Sequence, residues 1–353
     1  MEFIDSLCCL AGRHGASDIF LHSELPPQFR INGELLTIGT ALVHAEELES
    51  LWTHCGAALT ALDFDGSFIA SDGNRFRVNL FRTLFKRGAV LRPIKTVVPV
   101  LETLGVPVEL LASWVTRPAG LVLVTGPTGA GKSTTIAACL EWLNQNYARH
   151  IVTIEDPIEY LFTPAKCLFT QREVSSDTSS FAEGLRRSLR QSPDVILLGE
   201  IRDSASAITA LQAAETGHLV LATLHSSNVL DSLERLSRLF EVAEREGVFQ
   251  LLSQQLVGIL CQKLVPAPEG RVLVVEHFEN QAVTRKWIAE GKFRELADFL
   301  AKGDNPANVT FLQSLVALIQ AGRITEATGV QTAPNPRELQ RRLRGINSSS
   351  IQG

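Results

Sequence analysis

The chain has 353 residues, more than one ordinary hydrophobic core organises, so two or three domains are expected. Hydrophobic residues make up 45% and charged residues 20%, enough apolar surface to offset the entropy of ordering the chain, which excludes global disorder. Thirty-three basic residues against 38 acidic ones leave a formal charge of −5, which gives no chain-wide attraction for phosphodiester backbones and argues against a nucleic-acid partner.

At the N-terminus, Glu2 and Asp5 stand where a secretory signal needs basic residues, and no apolar run nears the roughly 20 residues that span a bilayer. A cytoplasmic protein is expected, with any membrane link made through a partner. Cysteines at 8, 9, 55, 139, 167 and 261 lack CxxC spacing and suggest neither a zinc cage nor a disulfide framework. Segments 18–22, 28–31, 34–38 and 75–81 read as strands, and Asn32-Gly33 between two of them is a two-residue hairpin signal. Residues 45–59 have helical spacing, with Leu48, Leu51, Trp52 and Cys55 on one face. Residues 1–95 therefore form a small α+β domain. Pro93, Pro99, Pro107 and Pro118 then punctuate a linker, 96–118, that carries a short helical pattern over 108–115.

From 119 to 275 the pattern is α/β. Near-continuous apolar runs at 121–125, 150–156, 194–200 and 218–225 fit strands buried on both faces of a parallel sheet. Between them lie amphipathic stretches at 133–147, 180–191 and 204–216. Ser180 with Glu183 makes a capping box, Phe181, Leu185 and Leu189 form one stripe, and Gly217 is placed to end a helix. A last strand is expected over 271–276. The remainder, 276–345, reads as helices at 282–290, 293–301, 311–321 and 336–343, before a frayed tail at 346–353.

The strongest chemical signal is Gly126-Pro127-Thr128-Gly129-Ala130-Gly131-Lys132-Ser133, followed by Thr134: a GxxxxGK[ST] pattern after an apolar strand and at the opening of a helix. Glycines let successive backbone N–H groups turn inward on a phosphate chain without a Cβ in the way. Lys132 is expected to hold the β- and γ-phosphates of ATP, and the Ser133 hydroxyl to ligate Mg²⁺. Glu200 ends the 194–200 run, where ligands gather in open α/β sheets, and is expected at the metal; its plainer reading is a surface acid pairing with Arg202. Glu155 and Glu159 flank Asp156-Pro157, and spacing alone does not choose which of them holds the attacking water. His225, at the carboxyl end of its run, is placed to sense a phosphate or a neighbouring subunit, whereas His218 orders a turn. Arg75, Arg77, Arg82, Arg87 and Arg92 read either as a solvated strand face or as a source of arginine fingers acting in trans.

These residues resemble the PilT-type branch of the secretion and type IV pilus motor ATPases. GPTGAGKST is similar to that family's phosphate loop, TIEDPIEY to its Asp box, DVILLGEIRD to its Walker B and GHLVLATLHSSN to its His box. ASDIFLHSELPPQFRINGELL and RFRVNLF are similar to its PAS-like N-terminal domain, so the likeness covers nearly all of 15–275. The resemblance implies a RecA-like ATPase domain behind a PAS-like one, and a homo-hexameric ring that hydrolyses ATP and acts on an inner-membrane platform protein to retract a pilus. It assigns Lys132 and Ser133 to phosphate and Mg²⁺, Glu159 to water activation, Glu200 to the metal and His225 to nucleotide sensing. It draws the trans arginines from the N-terminal domain, with Arg87 and Arg92 as the candidates and Arg77 and Arg82 as the alternatives. Residues 282–290, AVTRKWIAE, depart from the AIRNLIRE-like helix of retraction motors, which keeps an accessory retraction motor, or a secretion or DNA-uptake motor, in view. A hexameric helicase or DNA translocase is the competing class, and it needs a basic channel.

Overall fold

The computed structural model describes residues 1–302 and 305–344; the expected tail, 346–353, lies outside them. The chain divides into two compact units, Met1–Val97 with Glu159–Leu161, and Val98–Ile158 with the rest of the chain.

The first unit is a six-stranded sheet, β1 (Asp18–His22), β2 (Gln28–Ile31), β3 (Glu34–Thr37), β4 (Asp63–Ile69), β5 (Arg75–Thr83) and β6 (Lys86–Pro93), with helices α1 (Glu2–Arg13) and α2 (Ala45–His54). The order is β3-β2-β1-β6-β5-β4, with every pairing antiparallel. The β2–β3 hairpin turns through Asn32 and Gly33 at φ 51° and 88°, the left-handed pair that a two-residue turn requires. Leu48, Leu51 and Trp52 of α2 are buried beside Phe29, Phe76 and Leu80 of the sheet. Helix α1 was not evident from the sequence, although Ile4, Leu7, Cys8 and Ala11 form a buried stripe at helical spacing. β4 escaped for a different reason: Asp63-Phe-Asp-Gly is half-exposed and polar, and its pairing with β5 decides it.

The stretch read as a linker packs into the second unit from Val98 onward. Helix α3 (Val108–Val115) buries Leu111, Trp114 and Val115 in that unit's core, and apolar burial wins over the four prolines around it. The second unit's sheet comprises β7 (Gly120–Thr125), β8 (His150–Glu155), β9 (Leu168–Glu173), β10 (Val195–Leu198), β11 (Leu219–Leu224), β12 (Leu256–Pro266) and β13 (Arg271–Glu279). Its order is β13-β12-β7-β11-β10-β8-β9, parallel throughout except for the antiparallel β13. Both faces are covered. Along β7, Leu121 and Leu123 enter one apolar core and Val122 and Val124 the other, which is why its sequence is apolar without alternation.

Helices α4 (Lys132–Asn146), α5 (Phe181–Ser188), α6 (Ser204–Glu215), α7 (Val229–Arg238) and α8 (Arg245–Gln255) connect these strands. Ser180 caps α5 through the Glu183 N–H, and Gly217, at φ 98°, follows the end of α6. The C-terminal helices α9 (Ala282–Ala289), α10 (Phe293–Lys302), α11 (Phe311–Gln320), α12 (Glu326–Thr332) and α13 (Pro336–Leu343) send Ile288, Leu296, Phe311, Leu315 and Leu339 into the same core as β11 and α7. They extend that core. Among the described residues, no helix is long and apolar enough to cross a membrane.

Candidate nucleotide site

The loop between β7 and α4 is built for close approach. Gly126, Gly129 and Gly131 take φ values of 148°, 76° and 88°. A Cβ on Gly126 would meet the Gln262 carbonyl oxygen at 2.3 Å, so only glycine fits there. From β12, the fully buried Gln262 donates its amide Nε2 to the Ala130 carbonyl at 2.8 Å, bracing the loop from behind. That brace was not foreseen, because a lone glutamine 132 residues downstream gives no sequence signal.

Lys132 opens α4 and is only 8% exposed; its ammonium donates to the carbonyls of Gly126 at 2.9 Å and Pro127 at 3.1 Å. Ser133 and Thr134 follow in the first helical turn, whose N–H groups have no acceptors inside the helix. A buried ammonium, positive-φ glycines and a helix N-terminus are the groups an anion site needs, and the residues present fit a triphosphate. A hydroxyl from Ser133 and a carboxylate from Glu200 are the donor types Mg²⁺ takes when substrate phosphates supply other oxygens.

Three strand ends bring the remaining groups together. Beyond β10, the Glu200 carboxylate accepts from Arg202 Nε at 2.7 Å and lies 3.4 Å from His225 Nε2 beyond β11. Arg202 also donates to Asp156 at 3.0 Å, so it joins the acidic ends of β8 and β10. The pairing foreseen as the plain reading of Glu200 thus exists beside the histidine contact. Glu155 accepts from Thr153 Oγ1 at 2.7 Å. Burial holds the His225 imidazole below its ordinary value, the Lys132 charge adds to this, and Glu200 opposes it. His218 orders the turn after α6, with Nδ1 3.1 Å from the Ala213 carbonyl. Cys139 is a buried core residue of α4, its thiol pushed up to about 12 by burial.

Glu159, Arg87 and Arg92 belong to the first unit. The Glu159 carbonyl accepts from the Lys95 N–H at 3.2 Å, in a short parallel pairing completed by Leu161 N–H to the Lys95 carbonyl at 2.8 Å. Arg87 pairs with Glu49 and lies over the Trp52 ring, 5.7 Å from its centroid. Arg92 donates Nε and Nη2 to Asp18 at 2.9 and 2.6 Å.

Residues 2–293 match the model of the family described as type II/IV secretion system protein. The chain belongs to that family. Among its relatives, the chain is 37% identical over 340 residues to the type IV pilus retractation ATPase PilT of Pseudomonas aeruginosa, covering 94% of this chain and 98% of PilT. It is 38% identical over 325 residues to the uncharacterized protein YggR of Escherichia coli, covering 91% and 99% of the two chains. A crystal structure of the pilus retraction motor PilT with bound ADP superposes with a TM-score of 0.87 at 38% identity, covering 96% of this chain and 99% of that one. The fold is thus the α/β ATPase fold of this family, with an antiparallel-sheet domain at its N-terminus.

Proposed function

We propose that this chain is an ATP-hydrolysing motor that powers type IV pilus retraction. The observation that carries the reading is the convergence of the phosphate loop, the buried Lys132 and the Glu200–His225 pair at the carboxyl ends of adjacent parallel strands. The likeness to PilT over nearly the whole chain supports the substrate and the machine.

In this reading, residues Gly126 to Thr134 cradle the phosphates, and Lys132 moves from the loop carbonyls onto the β- and γ-phosphate oxygens. Ser133 and Glu200 would hold Mg²⁺, which would supply neutralisation of the charge developing on the phosphates. Glu159 orients and deprotonates the attacking water, and His225 reads the γ-phosphate through its contact with Glu200. Arg87 and Arg92 exchange their carboxylate partners for the phosphates of a neighbouring subunit in a homo-hexamer. The motor works in the cytoplasm, at the inner membrane, on the pilus platform protein.

Phosphate release from ATP, abolished by Lys132→Ala and Glu200→Gln, tests the chemistry. Deletion in the native host tests the cargo, with hyperpiliated cells that do not twitch as the expected result. A second reading, an accessory retraction motor or a secretion or DNA-uptake motor, is favoured by α9, whose Ala282-Val-Thr-Arg-Lys-Trp departs from the retraction motif. Normal piliation and motility in the deletion strain would select it. ATPase activity strongly stimulated by single-stranded DNA, and lost as salt rises, would instead make the chain a DNA translocase.

A further inference from the structure

A thread of buried hydroxyls runs behind the phosphate loop. Thr125 ends β7 and is the register partner of Leu224 on β11, so Gly126 and His225 are the next residues on two adjacent strands. Ser232 on α7 reaches both strand ends. Its Oγ lies 2.6 Å from Ser226 Oγ, 3.2 Å from Thr125 Oγ1 and 2.7 Å from the Asn228 carbonyl. Thr125 Oγ1 in turn donates to Cys261 Sγ on β12 at 2.8 Å. Thr125 and Ser232 are fully buried and Ser226 is nearly so. A buried hydroxyl is costly unless it is bonded, so these contacts fix positions as well as fill space.

Each hydroxyl carries one hydrogen. Thr125 gives its hydrogen to Cys261, and when Ser232 gives its own to Asn228 or Thr125, the hydrogen between the two serines comes from Ser226. Ser232 then divides its single proton between the Asn228 carbonyl and Thr125. The segment after His225 is also pinned to α7 from outside. Ser227 donates its N–H and hydroxyl to Asp231 at 2.7 and 3.1 Å, Asn228 accepts from the Asp231 N–H at 2.8 Å, and Glu276 accepts from the Val229 N–H at 2.7 Å. Arg235 closes the set by donating to the His225 carbonyl. The loop bearing His225 is therefore tied to α7, and Ser232 ties α7 to the root of the phosphate loop.

We infer that Ser232 is a positioning residue for ATP hydrolysis. It fixes the distance between the phosphate loop and the His225–Glu200 pair, so that a displacement at the phosphates is passed to His225. The inference rests on the ATPase reading.

Ser232→Ala is expected to lower kcat about tenfold while KM for ATP stays within about twofold, because the groups that grip the nucleotide are untouched. Ser232→Thr keeps the hydroxyl and restores kcat. In the nucleotide-free chain, the His225 ring resonance in an NMR spectrum shifts in Ser232→Ala and not in Ser232→Thr. Combining Ser226→Ala with Ser232→Ala should cost no more kcat than the worse single change, since both cut one thread. An unchanged kcat in Ser232→Ala, independent multiplication of the two losses, or an unmoved His225 resonance overturns the inference. If the unaltered chain does not hydrolyse ATP, the ATPase reading falls, and the resonance measurement still decides the role of Ser232.

Discussion

Glu200 and His225 meet across the ends of β10 and β11, Oε1 to Nε2 at 3.4 Å, while the other oxygen of Glu200 is taken by Arg202. The imidazole thus sits between a carboxylate that favours its charged form and a lysine and a buried setting that oppose it; the opposition wins, and its pKa falls below the ordinary value.

The sign of the resulting pH effect follows. Above the ordinary imidazole value of about 6.5, the ring is neutral in both the folded and the unfolded chain and adds no pH dependence. As pH falls through that value, the unfolded chain binds a proton that the folded chain takes up only at lower pH, so stability declines in the window just below it. His225→Gln should flatten this decline. Urea midpoints of the two proteins between pH 7.5 and pH 5 provide the check, and parallel curves would show that His225 is not held neutral.

Glu276 joins two helices with one side chain. Its carboxylate accepts from the N–H of Val229 at 2.7 Å, at the start of α7, and from that of Phe311 at 3.2 Å, at the start of α11. Glu276→Ala removes both caps and should cost about 2 kcal/mol in urea unfolding. Burial raises the pKa of this carboxyl, so the fold favours the protonated form, and that contribution, present below the unfolded value, is lost as pH rises through the folded one. Glu276→Gln lacks this loss. Its stability relative to the natural chain should therefore rise with pH from about 4.5 upward, and a constant difference would contradict the shift.

The two loop glycines should respond differently to alanine. At Gly129 a Cβ meets open space, and the left-handed φ of 76° costs about 1 kcal/mol. At Gly126 the same Cβ meets a backbone oxygen at 2.3 Å, which no rotamer relieves. Gly126→Ala should therefore weaken binding of a fluorescent ATP analogue far more than Gly129→Ala. Equal losses would mean that backbone conformation alone governs the loop.

What was legible in the sequence tracks what is local. The strand–loop–helix turn at 126–133, the four buried parallel strands and the cap at Ser180 are each specified within a few residues, and each stands where the pattern placed it. β12 was not recognised because its long apolar run abuts α8 without a turn signal, and Leu256 passes directly from helix cap to strand. The 96–118 stretch misled for the opposite reason: its prolines are local signals, whereas Trp114 is buried by contacts distant in sequence, among them Gly258, on which its ring closes. Gln262, Ser232 and Glu276 act through bonds to residues tens of positions away, which no spacing rule reports.

The candidate trans arginines differ in how cleanly they can be tested. The Arg87 side chain is only 18% exposed and lies over Trp52, so Arg87→Ala should destabilise the first unit by about 1 kcal/mol as well as affect turnover. Arg92 is 64% exposed, and Asp18 retains Arg30 at 3.6 Å when Arg92 is removed. Arg92→Ala is therefore the better probe. If sites are shared between neighbours in a ring, Lys132→Ala subunits still donate Arg92, and Arg92→Ala subunits still present a phosphate loop. Mixed in equal amounts, the two inactive proteins should recover roughly a quarter of full turnover, since half the loops are intact and half of those face an intact arginine. Phosphate release from the mixture measures this directly, with subunit exchange verified by labelled protein. Absence of recovery in exchanged rings would place Arg92 at its own subunit's nucleotide or outside the reaction altogether.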